Sequence, residues 1–552
     1  MKKWLLVIFL IISRITSAQD LLDEVIRNQI EAAGVPPVII IGTEQIHANT
    51  VLPVFYERRG YKAAWCMEND FLPHTYELIR CLRDANEHGL NPDDYHLQRM
   101  KMLVANLESF LSSNHKLNLV MLAQLDLLCT DAFLVFGSHL VSGKVNPETI
   151  DSEWMASKRE VNMLDLIESA IQTGQITRTF DVLLPRHTGY ELLSNHLKKY
   201  YEIESKGGWP KISQWATDKF DPNDPSLSKL QYRLRISGDL ANQKSKDQQN
   251  IFSVLETSIR LFQYRHGLEI TGRLDSLTLY ELNIPVEERI RQLKINLERW
   301  RWLPQDLGNP YVIINIPNFE LDLIKENKSI LQMRVVVGKP YRRTPVFSDK
   351  ITYLVFNPYW YVPKNIAVND ILPQIRQDID YFSSKKMRVF YHDYEPASEI
   401  DPSTINWTGI SKENFNYLLR QDPGPLNALG NVKFMFPNKF NVYLHDTPSR
   451  DLFEKTERTF SSGCIRASKP IELAEYLVSN NSSYPLNYIN TLISSGIEQT
   501  LTLNKPMPIH IQYWTAWVDV NGILHFRKDI YNRDETLYDA LIESPPTTRI
   551  IN

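Results

Sequence analysis

Little in this sequence is reserved for metal, nucleotide, nucleic acid or membrane. Its 552 residues include only four cysteines, and no closely spaced Cys/His quartet or H-E-x-x-H pattern offers the donors of a metal site. There is no phosphate-cradling G-x-x-x-x-G-K-[ST] loop and no G-x-S-x-G nucleophile elbow. The 61 basic side chains are nearly cancelled by 65 acidic ones, leaving a formal charge of −4, which argues against holding nucleic acid by bulk charge. Beyond the N-terminus no run reads as the roughly 20 apolar residues that a spanning helix needs, and no internal repeat or low-complexity tract stands out. With 43% hydrophobic and 23% charged residues the chain reads as folded protein, too long for one core, so two to four domains are expected.

The first residues, MKKWLLVIFLIISRITSAQD, have the three parts of an export signal. Lys2 and Lys3 form a basic start, Trp4 to Ile12 an apolar stretch, and Thr16-Ser17-Ala18 a small-residue cleavage site. Residues 1–18 are therefore expected to be a removable signal peptide, and export makes the cysteines worth reading one by one. Cys129 lies at helical spacing from Leu122, Leu125 and Phe133, as a small buried hydrophobe would. Cys66 and Cys81 are near enough in sequence to permit a local disulfide without demonstrating one. Cys464 differs, because its neighbours make a thiol reactive.

Residues 19–219 read as a helical scaffold. A helix stop and start lie in GLNPDDYHL, and Leu117 to Phe136 is apolar enough for a central helix. FDPNDPSLSKL, from Phe220 to Leu230, reads as a linker. Residues 225–290 then suggest a small helical module, with Ile259, Phe262 and Tyr264 on its apolar side. From about residue 300 to 545 the pattern turns to strands. YVIINIPNFELDLIKENKSILQMRVVVGKP, KFMFPNKFNVYLHD and YWTAWVDVNGILHFR alternate with period two and carry turn residues between runs. Between them, residues 363–421 read as an inserted helix-and-loop element able to cap a site. The fold class expected is multidomain α+β, ending in a mostly β, sandwich-like domain.

Chemistry concentrates in NVYLHDTPSRDLFEKTERTFSSGCIRASKP, Asn441 to Pro470. Alternation puts Val442 and Leu444 on one strand face and Tyr443 and His445 on the other. Cys464 follows Ser461-Ser462-Gly463 and precedes a helix start, a place where backbone N–H groups point outward. A thiol that cleaves an acyl bond needs a base, donors for the oxyanion and an orienter for the base. His445 qualifies as the base, and the N–H groups of Gly463 and Cys464, aided by Ser462, as the oxyanion donors. Gly463 also permits a backbone conformation that a side chain would obstruct. A buried cysteine beside a core histidine is the alternative reading of the same residues.

HDTPSRDLF followed by SSGCIR resembles the catalytic signature of the L,D-transpeptidases, whose catalytic domain is of the YkuD type. INLERWRWLP, VVVGKPYRRTPVFSDKI, FNPYWYVPKNI, PGPLNALGNVKFMFPN, FYERRGYKAAW and WTAWVDVNG resemble landmarks of the large, multidomain members from Gram-negative envelopes. QYRLRISGDL with FQYRHGLEITGRLD is similar to a peptidoglycan-binding helical module. The resemblance implies Cys464 as nucleophile and His445 as general base, with Tyr443, Ser462, Gly463 and Arg466 lining the site. Asp446 is a candidate third member, although in this family a backbone carbonyl beside the histidine often orients it. Arg466 is suited to a substrate carboxylate or to bracing its loop. Many short members have His where Ser462 stands here, which leaves the oxyanion donors open.

The implied partners are peptidoglycan stem peptides, a tetrapeptide donor and a diaminopimelate acceptor, in the periplasm and without a cofactor. The implied reaction joins the third residues of two stems through a cysteine thioester. Water or a lipoprotein lysine as acceptor gives a carboxypeptidase or an anchoring enzyme, and an inactive binding scaffold is the rival from another class. Trp300, Trp302, Tyr359, Trp360, Tyr361, Trp514 and Trp517 read as packing or as a substrate wall, and Lys339, Arg342 and Arg343 as a stem-peptide face or a solvated turn.

Overall fold

A computed structural model describes residues 18–34, 37–67, 70–112, 118–157, 159–213, 225–240, 248–391, 398–479 and 487–545. The expected signal segment up to residue 17, and the linker residues 220–224, lie outside these. The chain forms two compact units, one of residues 1–145, 159–186 and 539–552, the other of residues 146–158 and 187–538.

The first unit is helical around α1, Leu119–Ser142. This helix is long and apolar enough to cross a membrane by length and composition, contrary to the expectation that no such run follows the N-terminus, yet 78% of that apolar window is buried inside the protein. It is apolar all round because neighbours cover it all round. Its two mid-helix acids are tied down. Asp126 accepts from the Ala64, Trp65 and Cys66 N–H groups and, at 2.6 Å, from the Tyr56 hydroxyl. Asp131 accepts from the His47 and Ala48 N–H groups and faces His96 Nε2 at 2.8 Å. Cys129 is fully buried against Met100. Cys66 and Cys81 are free thiols with separate partners, the Leu122 carbonyl and the Thr177 hydroxyl, so the permitted disulfide is not formed.

In the second unit, α2 (Thr188–Ser205) packs against α3 (Val286–Arg301). The module between them has its own core of Leu230, Leu234, Leu255, Ile259, Phe262 and Leu282. Tyr264, grouped with Ile259 and Phe262 by sequence, is 46% exposed. Helix α3 carries Ile295 to Arg301 of INLERWRWLP, and its burial explains that composition. Asn296 exchanges hydrogen bonds with Thr515, Trp300 stacks on Trp514 at 4.3 Å, and Arg301 pairs with Glu298 at 2.6 Å.

The strands that follow are β1 (Tyr311–Asn315), β2 (Glu320–Lys325), β3 (Lys328–Gly338) and β4 (Phe347–Phe356). Then come the short β5 (Trp360–Tyr361), β6 (Met387–Tyr391), β7 (Glu399–Ile400) and β8 (Tyr417–Gln421). The main sheet resumes with β9 (Val432–Met435), β10 (Leu444–His445), β11 (Thr459–Ser461), β12 (Ile465–Ala467) and β13 (Gln499–Gln512). Its order is β11-β3-β12-β10-β9-β4-β13-β1-β2, and β2 also pairs with β3. The mostly β domain is present, but eight of its strands close on themselves as a barrel through the β2–β3 pairing rather than stacking as a sandwich, with β11 attached to β3.

The insertion is a small folded body. Strands β5 to β8 form a separate four-stranded sheet, and with the short helices between residues 364 and 384 they enclose a core of Ile371, Leu372, Phe382, Val389, Trp407 and Leu419.

Candidate active site

The site is built where β10 and β12 run parallel at the centre of the barrel sheet, with Leu444 opposite Ile465 and His445 opposite Arg466. Leu444, Ile465 and their antiparallel neighbour Phe434 are fully buried on one face. Burying each contributes about 1.5–3 kcal/mol, and a one-residue slip would lose all of it. That packing forces the alternate residues onto the other face, so Tyr443, His445, Cys464 and Arg466 point the same way. The fold thus brings together four of the expected site residues, and the partly exposed Cys464 lies diagonally from the buried His445.

The His445 Nδ1–H donates to the backbone carbonyl of Asp446 at 2.5 Å. This bond fixes the tautomer that leaves Nε2 with its lone pair. The Asp446 carboxylate turns elsewhere, accepting from the Asn431 N–H at 2.9 Å and pairing with Arg450 at 3.2 Å. A side chain on Gly430, whose φ is +62°, would collide with that carboxylate. Asp446 therefore holds the imidazole through its main-chain carbonyl, and its carboxylate, which makes no hydrogen bond to His445 among the described residues, braces the loop.

Burial, the Arg466 charge and the Lys433 charge push His445 down to about 3, against the pull of the Asp446 carbonyl. The imidazole is therefore neutral across the physiological range, with its Nε2 unprotonated. Burial raises the Cys464 thiol, opposed by hydrogen bonds from the Tyr443 backbone and hydroxyl and by the Arg466 charge. Among the described residues no hydrogen bond joins the thiol to His445; its partner is Tyr443, whose ring meets that of His445 edge-on at 5.6 Å. Catalytic hydrogen bonds in ligand-free sites often form only once substrate is bound.

The turn before the thiol is held by side chains. Ser461 Oγ donates to the Cys464 carbonyl at 2.5 Å and accepts from the Gly463 N–H at 3.1 Å. Thr344 Oγ1 donates to the Gly463 carbonyl at 2.8 Å. Gly463 has φ +114°, a conformation that side chains disfavour. The Gly463 N–H, expected as an oxyanion donor, is thus already engaged, whereas no acceptor among the described residues takes the Cys464 N–H. Ser462 is exposed, and its hydroxyl accepts from Arg342 Nη1 at 2.9 Å.

Arg342 also pairs with Asp370 of the insertion, so one guanidinium links the insertion to the turn carrying the thiol. Arg343 faces Asp151 at 3.5 Å and Glu153. Sequence reading grouped these arginines as a basic cluster but missed Asp370 and Lys433. Lys433 was legible only as one polar position in the apolar alternation of VKFMF. Of the aromatic residues, Trp300, Trp302 and Trp514 are buried packing, whereas Tyr361 is 53% exposed. A cavity of about 630 Å³ opens beyond the same strand ends, lined by Asn431, Asp446, Arg450, Ser468 and Glu472 among others, and neither Cys464 nor His445 lines it.

Comparison with known proteins gives matches to three domain families along the chain. A family model described as "L,D-transpeptidase catalytic domain" (YkuD) matches residues 309–487. Others, described as "Scaffold domain" and "Putative peptidoglycan binding domain", match residues 50–197 and 223–282. The chain therefore carries an L,D-transpeptidase catalytic domain of the YkuD type beside a scaffold domain and a peptidoglycan-binding-type module. A Haemophilus influenzae protein named "Putative L,D-transpeptidase" is 33% identical over 247 residues, 45% of this chain and 49% of that protein, so the chain spans about half the length of that curated relative. The solved structure titled "Structure of the Ldtfm-avibactam carbamoyl enzyme" aligns over 58% of this chain and 98% of its own at 12% identity with a TM-score of 0.18, values too low to bear on the argument.

Proposed function

We propose that this protein is a peptidoglycan L,D-transpeptidase of the cell envelope, exported by residues 1–18, with a scaffold at 19–219, a wall-binding module at 225–290 and a catalytic domain at 300–545 capped by 363–421. The observation that carries the reading is the shared face of Tyr443, His445, Cys464 and Arg466 on two parallel strands, with the imidazole tautomer set by the Asp446 carbonyl.

In this reading His445 Nε2 takes the thiol proton as Sγ attacks the carbonyl of the third residue of a donor stem. The oxyanion is met by the Cys464 N–H, a donor of the kind worth roughly 3 kcal/mol. Collapse breaks the amide, His445 gives its proton to the departing D-residue's amine, and a thioester remains. The side-chain amine of an acceptor stem then attacks, His445 takes up the amine's proton, and the thiol is restored as the third residues of two stems become joined. The amide bond consumed supplies the energy, so no nucleotide is required. The insertion, tied to Ser462 through Arg342, suits exclusion of water from the thioester.

Incubating the purified protein with peptidoglycan fragments and analysing them by mass spectrometry tests the reading. Cross-linked dimers are expected. Tripeptides alone would replace it with a carboxypeptidase, and unchanged tetrapeptides would overturn it.

A further inference from the structure

His445 is flanked by two cations. Strand pairing sets it opposite Arg466 on β12 and, on its other side, opposite Lys433 on β9. Directly paired residues point to the same side of a sheet, so Lys433, His445 and Arg466 form a row. Adjacent strands lie about 4.8 Å apart, which puts the two cationic strands roughly 10 Å from each other across the imidazole, a gap that side chains of this length span by leaning inward.

Among the described residues neither cation is ion-paired: no carboxylate lies within ion-pair distance of Lys433 or Arg466, and the buried Nε of Arg466 has no hydrogen-bond partner. Lys433 is half-buried, its ammonium 6.0 Å from the Tyr443 ring centre. The acid whose field reaches it, Glu498, is engaged by the Tyr359 N–H at 2.8 Å. Two half-desolvated cations side by side are costly unless an anion joins them.

We propose that Lys433, together with Arg466, is the receptor for the α-carboxylate of the donor residue that departs in the acyl transfer, an inference that rests on the function proposed above. The chemistry selects this group. The α-carboxylate stands two bonds from the nitrogen that His445 must protonate, so a carboxylate held between Lys433 and Arg466 brings that nitrogen to the imidazole. Arg466 offers a planar fork and Lys433 a point charge, which together match two carboxylate oxygens. Burial is the main cause that keeps His445 unprotonated, and neutralising the two cations relieves the part that their charges add.

The test measures acyl-enzyme formation at Cys464 by intact-protein mass, using the full chain and synthetic tetrapeptide donors. One donor has free carboxylates, one is amidated at its C-terminus, and one is amidated at the end of the third residue's side chain. For the unaltered protein, C-terminal amidation is expected to slow acylation by about tenfold to a hundredfold, the weight of a charge-assisted hydrogen bond, with side-chain amidation having little effect. Lys433→Met should lose a similar factor with the free donor and keep only the smaller discrimination that Arg466 alone supplies, and Lys433→Arg should recover most of what was lost. Equal acylation by free and C-terminally amidated donors overturns the proposal without requiring any variant to fold. So does a loss that follows the side-chain amide, or a Lys433→Met protein that discriminates as strongly as the unaltered one. Failure of every donor to acylate Cys464 overturns the transpeptidase reading itself, and the inference with it.

Discussion

Buried charge is handled in opposite ways around helix α1 and on the site face of the barrel. In the first region His96 sits between Asp131 and Glu44 at 2.8 and 3.0 Å, and Asp126 takes three backbone donors and a hydroxyl. In the second, His445 sits between Lys433 and Arg466, neither of which has an acid in ion-pair reach among the described residues. Burial lowers both histidines. The carboxylates outweigh it and hold His96 up to about 9, whereas the cations add to it and take His445 down to about 3. The same residue type is thus held as a cation in one place and as a neutral imidazole in the other. Where buried charges are paired internally, removing one partner is what costs stability; where they are left unpaired, as at Lys433 and Arg466, an incoming anion is the partner proposed above.

The contrast breaks most sharply at the thiols. Cys464→Ala should reduce acyl transfer to background, a loss on the order of a nucleophile deletion, roughly 10⁶-fold, while thermal unfolding stays nearly unchanged because the side chain is partly exposed. Covalent labelling by an acylating inhibitor should fall on Cys464, and labelling at the fully buried Cys129 would contradict the division. Asp126→Ala should do the reverse, costing about 3–5 kcal/mol by leaving buried donors unpaired with activity per folded molecule retained; denaturant unfolding beside an activity assay checks both.

His96→Gln tests the sign of the first region. The folded value lies above the ordinary histidine value of about 6.5, so the ion pairs' contribution is fully present below that value and is lost as pH rises through about 9. The variant should be less stable by about 3 kcal/mol at pH 5.5, and the difference should shrink by pH 9.5. A difference that grew with pH would reverse the assignment. On the site face, iodoacetamide should alkylate Cys464 at a rate with no histidine step between pH 5 and 8, rising only at alkaline pH as the raised thiol ionises; a step near 6.5 would show an ordinary imidazole. The smallest effect is expected for Arg342→Met, which frees Ser462 from Asp370. Cross-linking should fall by a factor of about three to ten relative to hydrolysis, read as the ratio of dimers to tripeptides.

Much of the site was legible because its signals are local. Alternation in VYLH already separates Leu444 from Tyr443 and His445, and Ser-Ser-Gly-Cys before a helix start already marks an unusual turn. The opposite fates of Asp446's carbonyl and carboxylate were not legible, since one depends on a backbone angle and the other on Asn431 and Arg450 arriving beside it. The engaged N–H of Gly463 is of the same kind, decided by the rotamer of Ser461. Hydropathy identified α1 as a central helix, yet composition could not distinguish a helix wrapped by protein from one wrapped by lipid.

By itself the sequence determined the periodicities, and through them which residues form strands and helices, that the C-terminal half is mostly β, and that a cysteine and a histidine share the reactive segment. These follow from side-chain geometry within a few residues. The tertiary structure decided the closing of the barrel, the separate core of the insertion, and the placing of Lys433 and Arg466 on either side of His445. Those outcomes depend on register between strands remote in the chain, which is set by the burial of Leu444, Ile465 and Phe434 together and is written in no one of their neighbourhoods.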